Sequence, residues 1–597
     1  MLEDSGAPGE AHRRATDAYL EAFFATLAAS GVELVFVSPG SRSTPLALAA
    51  DRVPGLDVRL ILDERSAAFL ALGVGRQTAR PAALICTSGT AATHYLPAVT
   101  EAHYGRVPMI VLTADRPPEL RDWGAGQTID QLGLYGTAVR RFTEMPVLGR
   151  EFGSLRHARA SAQRAVQDTL GAPPGPVHLN WPLREPLEPS LRVSDRVSEE
   201  SQVVEPVRPV RVEVSAEDVA SVAALMHANA SGWIVCGPMP PCGDRDEALA
   251  ELGRRSGWPI LADPLSGLRR GPQTQRASLV VHSDLWLREK SVAERVAPKM
   301  ILRFGDTPTS KALRLVLEAH PPEHFILVDP AGDWADPGHH VTQTVRADPA
   351  RFAAALTDQW VDPRAECPAA ALTLDLEQRA AGIVDQQLAI AGDLDELRVV
   401  RGLERTMPRQ STLFVSSSMP IRDVDAVLSA HPDPLKILAN RGANGIDGVT
   451  STALGAALAD REPVVLLTGD LALLHDLGGL LAAKNYKIPI LILVLNNEGG
   501  GIFSFLPIAE RAEPHVFETF FRTPQGVSIE RVARLFDLTF DQVHSDERLE
   551  EVLSDWFAAG VPGPHLVEVP IDRDTHVERF RTLVGRVGQA VRDGVGI

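Results

Sequence analysis

Short aliphatic runs ending in glycine, serine, proline or aspartate, each separated from the next by a helix-length stretch, recur along this chain and restrict its fold more than any other feature. Ala15 to Ser30 carries a helical stripe of Tyr19, Leu20, Phe23, Phe24 and Leu27, and the run Val32 to Val37 follows, ending at Pro39 and Gly40. Further strands are predicted at Val58 to Leu62, Ala82 to Cys86, Met109 to Thr113 and within Gly175 to Pro182. Strand and helix in alternation imply right-handed βαβ units and hence a parallel sheet. The pattern returns at Trp233 to Cys236, Leu279 to Val281, Met300 to Phe304 and Phe325 to Val328. It returns once more at Thr412 to Val415, Val464 to Thr468, Ile490 to Leu495 and His565 to Val569.

Between these groups the periodicity lapses twice. Residues 183–210 are rich in proline and charge, as an interdomain linker would be, and Val361 to Ala370 interrupts the pattern again. The expected fold is therefore α/β, with three domains on parallel, doubly wound sheets, at residues 1–188, 210–362 and 375–597. At roughly 150 residues per domain, 597 residues leave room for three or four. One internal echo supports related first and third domains: LVFVSPGSRS from Leu34 and TLFVSSSMPIR from Thr412 place a similar strand and turn early in each.

Composition excludes several classes. With 59 Lys plus Arg against 77 Asp plus Glu, the net charge is −18, and no block of basic residues offers a nucleic-acid stripe. The longest apolar run, Ile488 to Leu495, contains Pro489 and falls far short of the roughly 20 residues of a membrane span. The opening MLEDSGAPGEAHRR has no apolar core of a secretory signal. The four cysteines (Cys86, Cys236, Cys242, Cys367) form no CxxC pair, so neither a zinc ribbon nor a disulfide framework is expected, and the default location is the cytoplasm.

The most informative chemistry lies in the last third. Thr468-Gly469-Asp470 ends one strand, and Asn497, 27 residues after the aspartate, ends the next within Asn496-Asn497-Glu498-Gly499-Gly500-Gly501. Either motif alone reads as an ordinary strand-end loop. Across one βαβ unit, however, both side chains emerge at the carboxyl edge of a parallel sheet, where such folds bind ligands. A carboxylate, an amide oxygen and the Gly499 carbonyl are hard donors suited to Mg²⁺, or to Mn²⁺ in its place. The following glycines let the main chain approach a diphosphate.

Gly469-Asp470 followed by Asn496-Asn497 resembles the diphosphate and metal motif of the thiamine-diphosphate (ThDP) enzymes, although Leu471 stands where those enzymes usually have a third glycine. A second motif agrees: Glu64, in Leu62-Asp63-Glu64-Arg65-Ser66, sits at a strand end before an apolar helix. In that family a glutamate so placed hydrogen-bonds the aminopyrimidine and drives the tautomer that deprotonates the thiazolium carbon, a task suited to a carboxyl of raised pKa in an apolar site. Read without the resemblance, Glu64 is a helix N-terminal charge favourable to the dipole.

Several ordered motifs narrow the resemblance. They are Ser38-Pro39-Gly40-Ser41-Arg42-Ser43-Thr44-Pro45-Leu46, Thr87-Ser88-Gly89-Thr90-Ala91, Leu112 to Leu120 around Asp115-Arg116-Pro117, Asn440-Arg441-Gly442-Ala443-Asn444-Gly445-Ile446-Asp447-Gly448 and Gly500-Gly501-Ile502-Phe503-Ser504 with Leu506-Pro507. Together they are similar to one branch of that family, the 2-succinyl-5-enolpyruvyl-6-hydroxy-3-cyclohexene-1-carboxylate synthases of menaquinone biosynthesis. The resemblance implies a transferase that decarboxylates 2-oxoglutarate and adds the succinyl-semialdehyde–ThDP carbanion to isochorismate. It implies a pyrimidine-binding domain, a middle domain of transhydrogenase-like dIII type and a diphosphate-binding domain, in a homodimer or tetramer with the active site at the dimer interface.

By the same resemblance Ser418, Arg422 and Arg441 hold the oxoglutarate-derived chain, while Ser41, Arg42, Arg116, Gln127 and Lys311 hold isochorismate or the adduct. Glu64, Arg42, Gln127 and Arg422 are the expected catalytic set. Pro39, Ser88, Ile446, Phe503 and Leu506 join Glu64, Asp470, Asn497 and Gly499 around the cofactor, the last three also holding the metal. Guanidinium groups do suit two dicarboxylate substrates, which they bind bidentately. Any single arginine here reads equally as a surface ion pair; the set does not. Gly126 before Gln127 and Ala312 after Lys311 replace polar residues of some relatives, which implies that contacts to isochorismate are fewer or are supplied from elsewhere.

Other readings are weaker. Ser88-Gly89-Thr90 superficially resembles the phosphate loop of adenylate-forming enzymes, but Ala91 and Ala92 follow; no GxxxxGK loop occurs, and Gly73-Val74-Gly75 lacks the third glycine of a dinucleotide fingerprint. An acetolactate synthase or 2-oxoacid decarboxylase would share Glu64, Asp470 and Asn497 without the paired Arg42 and Arg116 motifs. An inactive ThDP-fold scaffold would have lost Glu64 or the metal ligands.

Overall fold

The structure, a computed structural model, describes residues 9–148, 154–190, 205, 207–360, 362–364, 367–390, 392–460, 462–560 and 563–596. Part of the predicted linker, part of the second lapse and the start of the N-terminal segment lie outside the described residues.

Three six-stranded sheets are present, every strand pair of them parallel. The first comprises β1 (Leu34–Val37), β2 (Asp57–Leu60), β3 (Ala82–Cys86), β4 (Met109–Asp115), β5 (Arg141–Glu144) and β6 (Pro176–Pro182), in the order β2-β1-β3-β4-β6-β5. The second comprises β7 (Gly232–Cys236), β8 (Ile260–Ala262), β9 (Leu279–Val280), β10 (Met300–Phe304), β11 (His324–Val328) and β12 (Gln343–Val345), in the order β12-β11-β10-β7-β8-β9. The third comprises β13 (Thr412–Val415), β14 (Lys436–Leu438), β15 (Val464–Gly469), β16 (Ile490–Asn496), β17 (Thr539–Gln542) and β18 (His565–Pro570), in the order β14-β13-β15-β16-β18-β17.

The expected three-domain α/β architecture is thus present. Every predicted strand is found, while five strands were not anticipated. Of these, β5, β12, β14 and β17 are sheet edges, and β8 has only three residues. An edge strand is half solvated and needs no continuous apolar run: Arg141–Glu144 and Thr539–Gln542 expose their end residues. The first and third sheets share one strand order, and the echoed segments form β1 and β13, which hold the same place in it.

Strand order also locates the candidate sites. Order reverses between β1 and β3 in the first sheet, and between β13 and β15 in the third. At such switch points the loops leave the carboxyl edge in opposite directions and open a crevice.

The chain divides into two compact units. One holds residues 1–210, 440–461 and 475–488; the other holds 211–439, 462–474 and 489–597. In the first unit an apolar core under the first sheet is built on Tyr19, Phe23, Phe24 and Trp181, with Trp181 edge-on to both Tyr19 and Phe23. Also in this unit, helix Glu64–Thr78 packs on helix Val449–Asp460 through reciprocal glycines. A Cβ at Gly73 would lie 1.9 Å from the Thr452 carbonyl oxygen, and one at Gly455 would lie 2.0 Å from that of Leu70. Gly73 therefore lets the two helices approach closely. In the second unit one continuous core joins the second and third sheets, from Trp233 and Trp286 to Leu413, Leu493 and Val567.

Candidate active site

In the first unit, the predicted residues gather at the carboxyl edge of β1, β3 and β4. Glu64 begins helix Glu64–Thr78, whose N-cap is Asp63, the carboxylate accepting from the Ser66 N–H at 3.2 Å. Glu64 is half-buried, and its charge is one of the groups that hold the buried Cys86 thiol unionised, after burial itself. Pro39 and Ser41 are exposed in the turn after β1. Arg42 is buried, donating to the Leu183 carbonyl at 2.9 Å and to Glu185 at 3.1 Å.

Ser88, fully buried after β3, ties two further candidates together. Arg116 Nη1 donates to its hydroxyl at 3.1 Å, and that hydroxyl donates to the Gln127 carbonyl at 2.9 Å. The Gln127 amide reaches the Ser88 carbonyl at 3.3 Å, and Arg116 Nη2 donates to the Gly126 carbonyl at 3.1 Å. Thus Gly126, whose missing side chain suggested fewer contacts, contributes its backbone to holding Arg116. Partial burial, then the neighbouring Arg42 charge, lowers the Arg116 pKa. Glu185, paired with Arg42, and Asp115 partly offset this effect.

Sequence reasoning missed what supports this cluster. Gln131, fully buried, accepts from the Gly89 N–H at 2.9 Å and donates to Asn180 at 2.9 Å. Asn180 donates to Asp115 and to Glu144, at 2.8 Å each, and Asp115 accepts the Arg116 N–H at 2.7 Å. Burial raises Asp115, against Asn180 and Arg121, which favour its charged form. Also in this unit, buried Glu101 accepts the N–H groups of Gly442 and Ala443 at 2.7 and 2.6 Å while paired with Arg76. It thereby holds the loop that carries Arg441 and Ile446. Neither Gln131 nor Glu101 lies in a recognisable motif, though Glu101 is a lone charge on the otherwise apolar face of helix Leu96–Tyr104.

In the second unit, Asp470 and Asn497 follow β15 and β16, neighbours in the third sheet. Burial pushes Asp470 up to about 6, against the backbone N–H groups of Leu471, Gly499 and Asp470 itself. With Leu471 in place of glycine, Asp470 starts helix Asp470–His475 directly. Gly499 has φ +132°, and a Cβ there would lie 1.9 Å from the Arg522 carbonyl oxygen, so glycine is required. Asn497 Nδ2 donates to Glu396 Oε1 at 2.9 Å, whereas its Oδ1 is buried without a hydrogen-bond partner. A buried carboxylate with no side-chain cation among its leading interactions, beside a bare amide oxygen, suits a hard divalent cation.

Behind Asn497, Glu396, Asp423 and His576 form a buried cluster that the sequence did not reveal, since they come from three helices far apart in the chain. Burial, then the Glu396 carboxyl, pushes Asp423 well above the ordinary carboxylate range. Ser418 after β13 has φ +79°, and its carbonyl accepts from the exposed Arg422. Among the described non-glycine residues with positive φ, Ser418, Asn444 and Glu498 fall within the predicted motifs, and Gln127 is a predicted substrate residue. Backbone held in this sparsely populated region clusters at functional sites.

Lys311, exposed at the start of helix Lys311–Ala319, is flanked by two groups that bond to one carboxylate. Asp284 accepts from the Ser310 hydroxyl at 2.8 Å and from the Ala312 N–H at 3.4 Å; burial lowers the Arg422 pKa, against Asp423 and then Asp284, which favour its charged form. Phe503 is half-buried, edge-on to Phe521 at 5.5 Å, and Leu506 is exposed.

Comparison with known proteins follows this geometry. Residues 18–134 match the family model "Thiamine pyrophosphate enzyme, N-terminal TPP binding domain", residues 208–415 match "Middle domain of thiamine pyrophosphate", and residues 426–569 match "Thiamine pyrophosphate enzyme, C-terminal TPP binding domain". The chain is 43% identical over 585 residues to the 2-succinyl-5-enolpyruvyl-6-hydroxy-3-cyclohexene-1-carboxylate synthase of Chloroflexus aurantiacus, covering 97% of this chain and 98% of that one. It is 42% identical over 576 residues to the synthase of the same name from Geobacillus thermodenitrificans, covering 96% of each chain. It is 39% identical over 585 residues to that of Listeria innocua, covering 97% of this chain and 99% of that one.

Proposed function

Because this chain belongs to the 2-succinyl-5-enolpyruvyl-6-hydroxy-3-cyclohexene-1-carboxylate synthase family, a branch of the ThDP-dependent transferases, we propose that it decarboxylates 2-oxoglutarate and transfers the resulting four-carbon unit to isochorismate. The observation that supports the acceptor assignment is that Arg42, after β1, and Arg116, after β4, both lie at the carboxyl edge of the first sheet, where burial and then the Arg42 charge lower the Arg116 pKa. Two guanidinium groups in one place suit the two carboxylates of isochorismate, which they can bind bidentately.

Bound ThDP supplies the electron sink that lets a 2-oxoacid lose CO₂ and its acyl carbon act as a nucleophile. Asp470, Asn497 Oδ1 and the Gly499 carbonyl would hold Mg²⁺, or Mn²⁺, at the diphosphate, and Pro39, Ser88, Ile446, Phe503 and Leu506 would flank the cofactor. Glu64 exchanges a proton with the aminopyrimidine nitrogen, the step that activates the cofactor. Ser418, Arg422 and Arg441 bind the distal carboxylate of 2-oxoglutarate and place its keto carbon. Ser41, Arg42, Arg116, Gln127 and Lys311 orient isochorismate and offset its two negative charges. The reading includes a cytoplasmic homodimer or tetramer and the domain limits 1–188, 210–362 and 375–597. The four cysteines, all free, are compatible with a reducing compartment.

Glu64→Gln tests the assignment. Turnover should fall by at least a hundredfold while ThDP binding stays measurable; normal turnover in this variant contradicts the reading.

A further inference from the structure

The Asn497 side chain can act as a metal ligand only if its oxygen, and not its nitrogen, faces the cation. A carboxamide is nearly symmetrical in shape, so packing alone selects neither orientation; hydrogen bonding must. The neighbour that selects here is Glu396. Its Oε1 lies 2.9 Å from Asn497 Nδ2 and accepts a hydrogen bond from it, which only the nitrogen of the amide can donate. It therefore takes the NH₂ group and turns Oδ1 the other way, where that atom stands buried with no partner.

Glu396 is 1% exposed and opens helix Glu396–Thr406. Its second oxygen makes no hydrogen bond among the described residues but faces His576 Nε2 at 3.6 Å, and the same nitrogen lies 3.8 Å from Asp423 Oδ1. Asp423 and His576 are 0% and 2% exposed, so the carboxylate is backed by two buried side chains. On the other side of the amide, a Cβ at Gly501 would come within 2.6 Å of Asn497 Nδ2, so the chain leaves room for the NH₂ group just where Glu396 draws it.

We propose that Glu396 is a positioning residue for the cation of the Asp470–Asn497–Gly499 site: backed by Asp423 and His576, it locks the Asn497 carboxamide with Oδ1 directed at the metal. The inference rests on the reading of that trio as metal ligands. Without Glu396 the amide is free to turn and present its NH₂ group, which repels a cation. Partners of this kind typically contribute ten- to a hundredfold to metal affinity.

The test is equilibrium binding rather than turnover. ThDP binding to the apo-protein is followed by tryptophan fluorescence or calorimetry while Mg²⁺ is titrated, and bound Mn²⁺ is read independently by electron paramagnetic resonance. Glu396→Met keeps the volume but accepts no hydrogen bond from the amide, and should need ten- to a hundredfold more metal for half-saturation. Glu396→Gln keeps an acceptor for Asn497 and an NH₂ group for Asp423, and should stay within about threefold of wild type. In the double variant Glu396→Met with Asn497→Asp, a carboxylate offers an oxygen in either orientation, so metal affinity should return. Thermal unfolding of each variant sets a common temperature at which all are folded. Equal affinity of the methionine variant and wild type overturns the proposal, as does equal weakening by methionine and glutamine. Asn497→Ala separates the two levels: if that variant loads metal normally, the ligand reading itself fails, whereas loss in Asn497→Ala without loss in Glu396→Met refutes the positioning role alone.

Discussion

Arg116 donates to the Ser88 hydroxyl at 3.1 Å, so a residue expected to bind substrate is fixed by one expected to bind cofactor. Since Ser88 in turn bonds to the Gln127 backbone at 2.9 Å, the loops that follow β3 and β4 act as one positioned surface. Arg116→Ala should raise the KM for isochorismate about ten- to a hundredfold, the worth of a hydrogen bond to a charged group, and leave that for 2-oxoglutarate nearly unchanged. Steady-state kinetics with each substrate varied in turn gives the split, and an equal rise in both constants would contradict the assignment.

Asp284 makes a contrasting case. Burial would raise this carboxyl, but Arg288, the Ser310 hydroxyl and the Ala312 N–H outweigh it and hold the pKa below the usual range. Because Asp284 bonds on both sides of Lys311 and acts electrostatically on Arg422, Asp284→Ala should weaken both substrates together, by about tenfold in each KM. A change confined to one substrate would show that Lys311 and Arg422 are positioned independently.

Glu101 reports on the loop carrying Arg441. Removing its carboxylate leaves two backbone N–H groups and Arg76 without their acceptor, so Glu101→Ala should cost about 3 kcal/mol in urea unfolding and Glu101→Gln less. The glutamine variant, still folded, should show a raised KM for 2-oxoglutarate if Arg441 holds that substrate.

What the sequence made legible, and what it hid, divides along physical lines. Strands buried on both faces, such as Met109–Asp115 and Ile490–Asn496, are continuous aliphatic runs and can be read directly. Edge strands such as Arg141–Glu144 cannot, because half their surface is wet. The residues at strand ends could be proposed because a parallel sheet aligns its carboxyl ends. Their supports, Gln131, Asn180, Glu101 and the Glu396–Asp423–His576 cluster, could not: each acts through contacts between segments far apart in the chain, and no local period marks them.

His178 gives a pH prediction. Burial lowers its pKa from 6.5 to about 3, and its Nε2 is bonded to the Thr113 hydroxyl at 2.8 Å. Below pH 6.5 the unfolded chain takes up a proton that the folded chain refuses, so this histidine withdraws stability as pH falls from about 6.5 towards 3. At pH 5 the loss is about 2 kcal/mol, or 1.5 units at about 1.4 kcal/mol each. Unfolding free energies at pH 7 and 5 should therefore differ more in wild type than in His178→Gln. An identical difference in the two proteins would show that His178 is charged in the fold.

The central claim is that this chain uses 2-oxoglutarate as donor and isochorismate as acceptor. CO₂ release from 2-oxoglutarate, measured with ThDP and Mg²⁺ in the presence and absence of isochorismate and against pyruvate as the competing donor, tests it most directly. The account predicts release from 2-oxoglutarate that isochorismate accelerates, with stoichiometric consumption of the acceptor and little reaction of pyruvate. Preference for pyruvate, or release indifferent to isochorismate, would contradict it and favour a different ThDP-dependent decarboxylase or synthase.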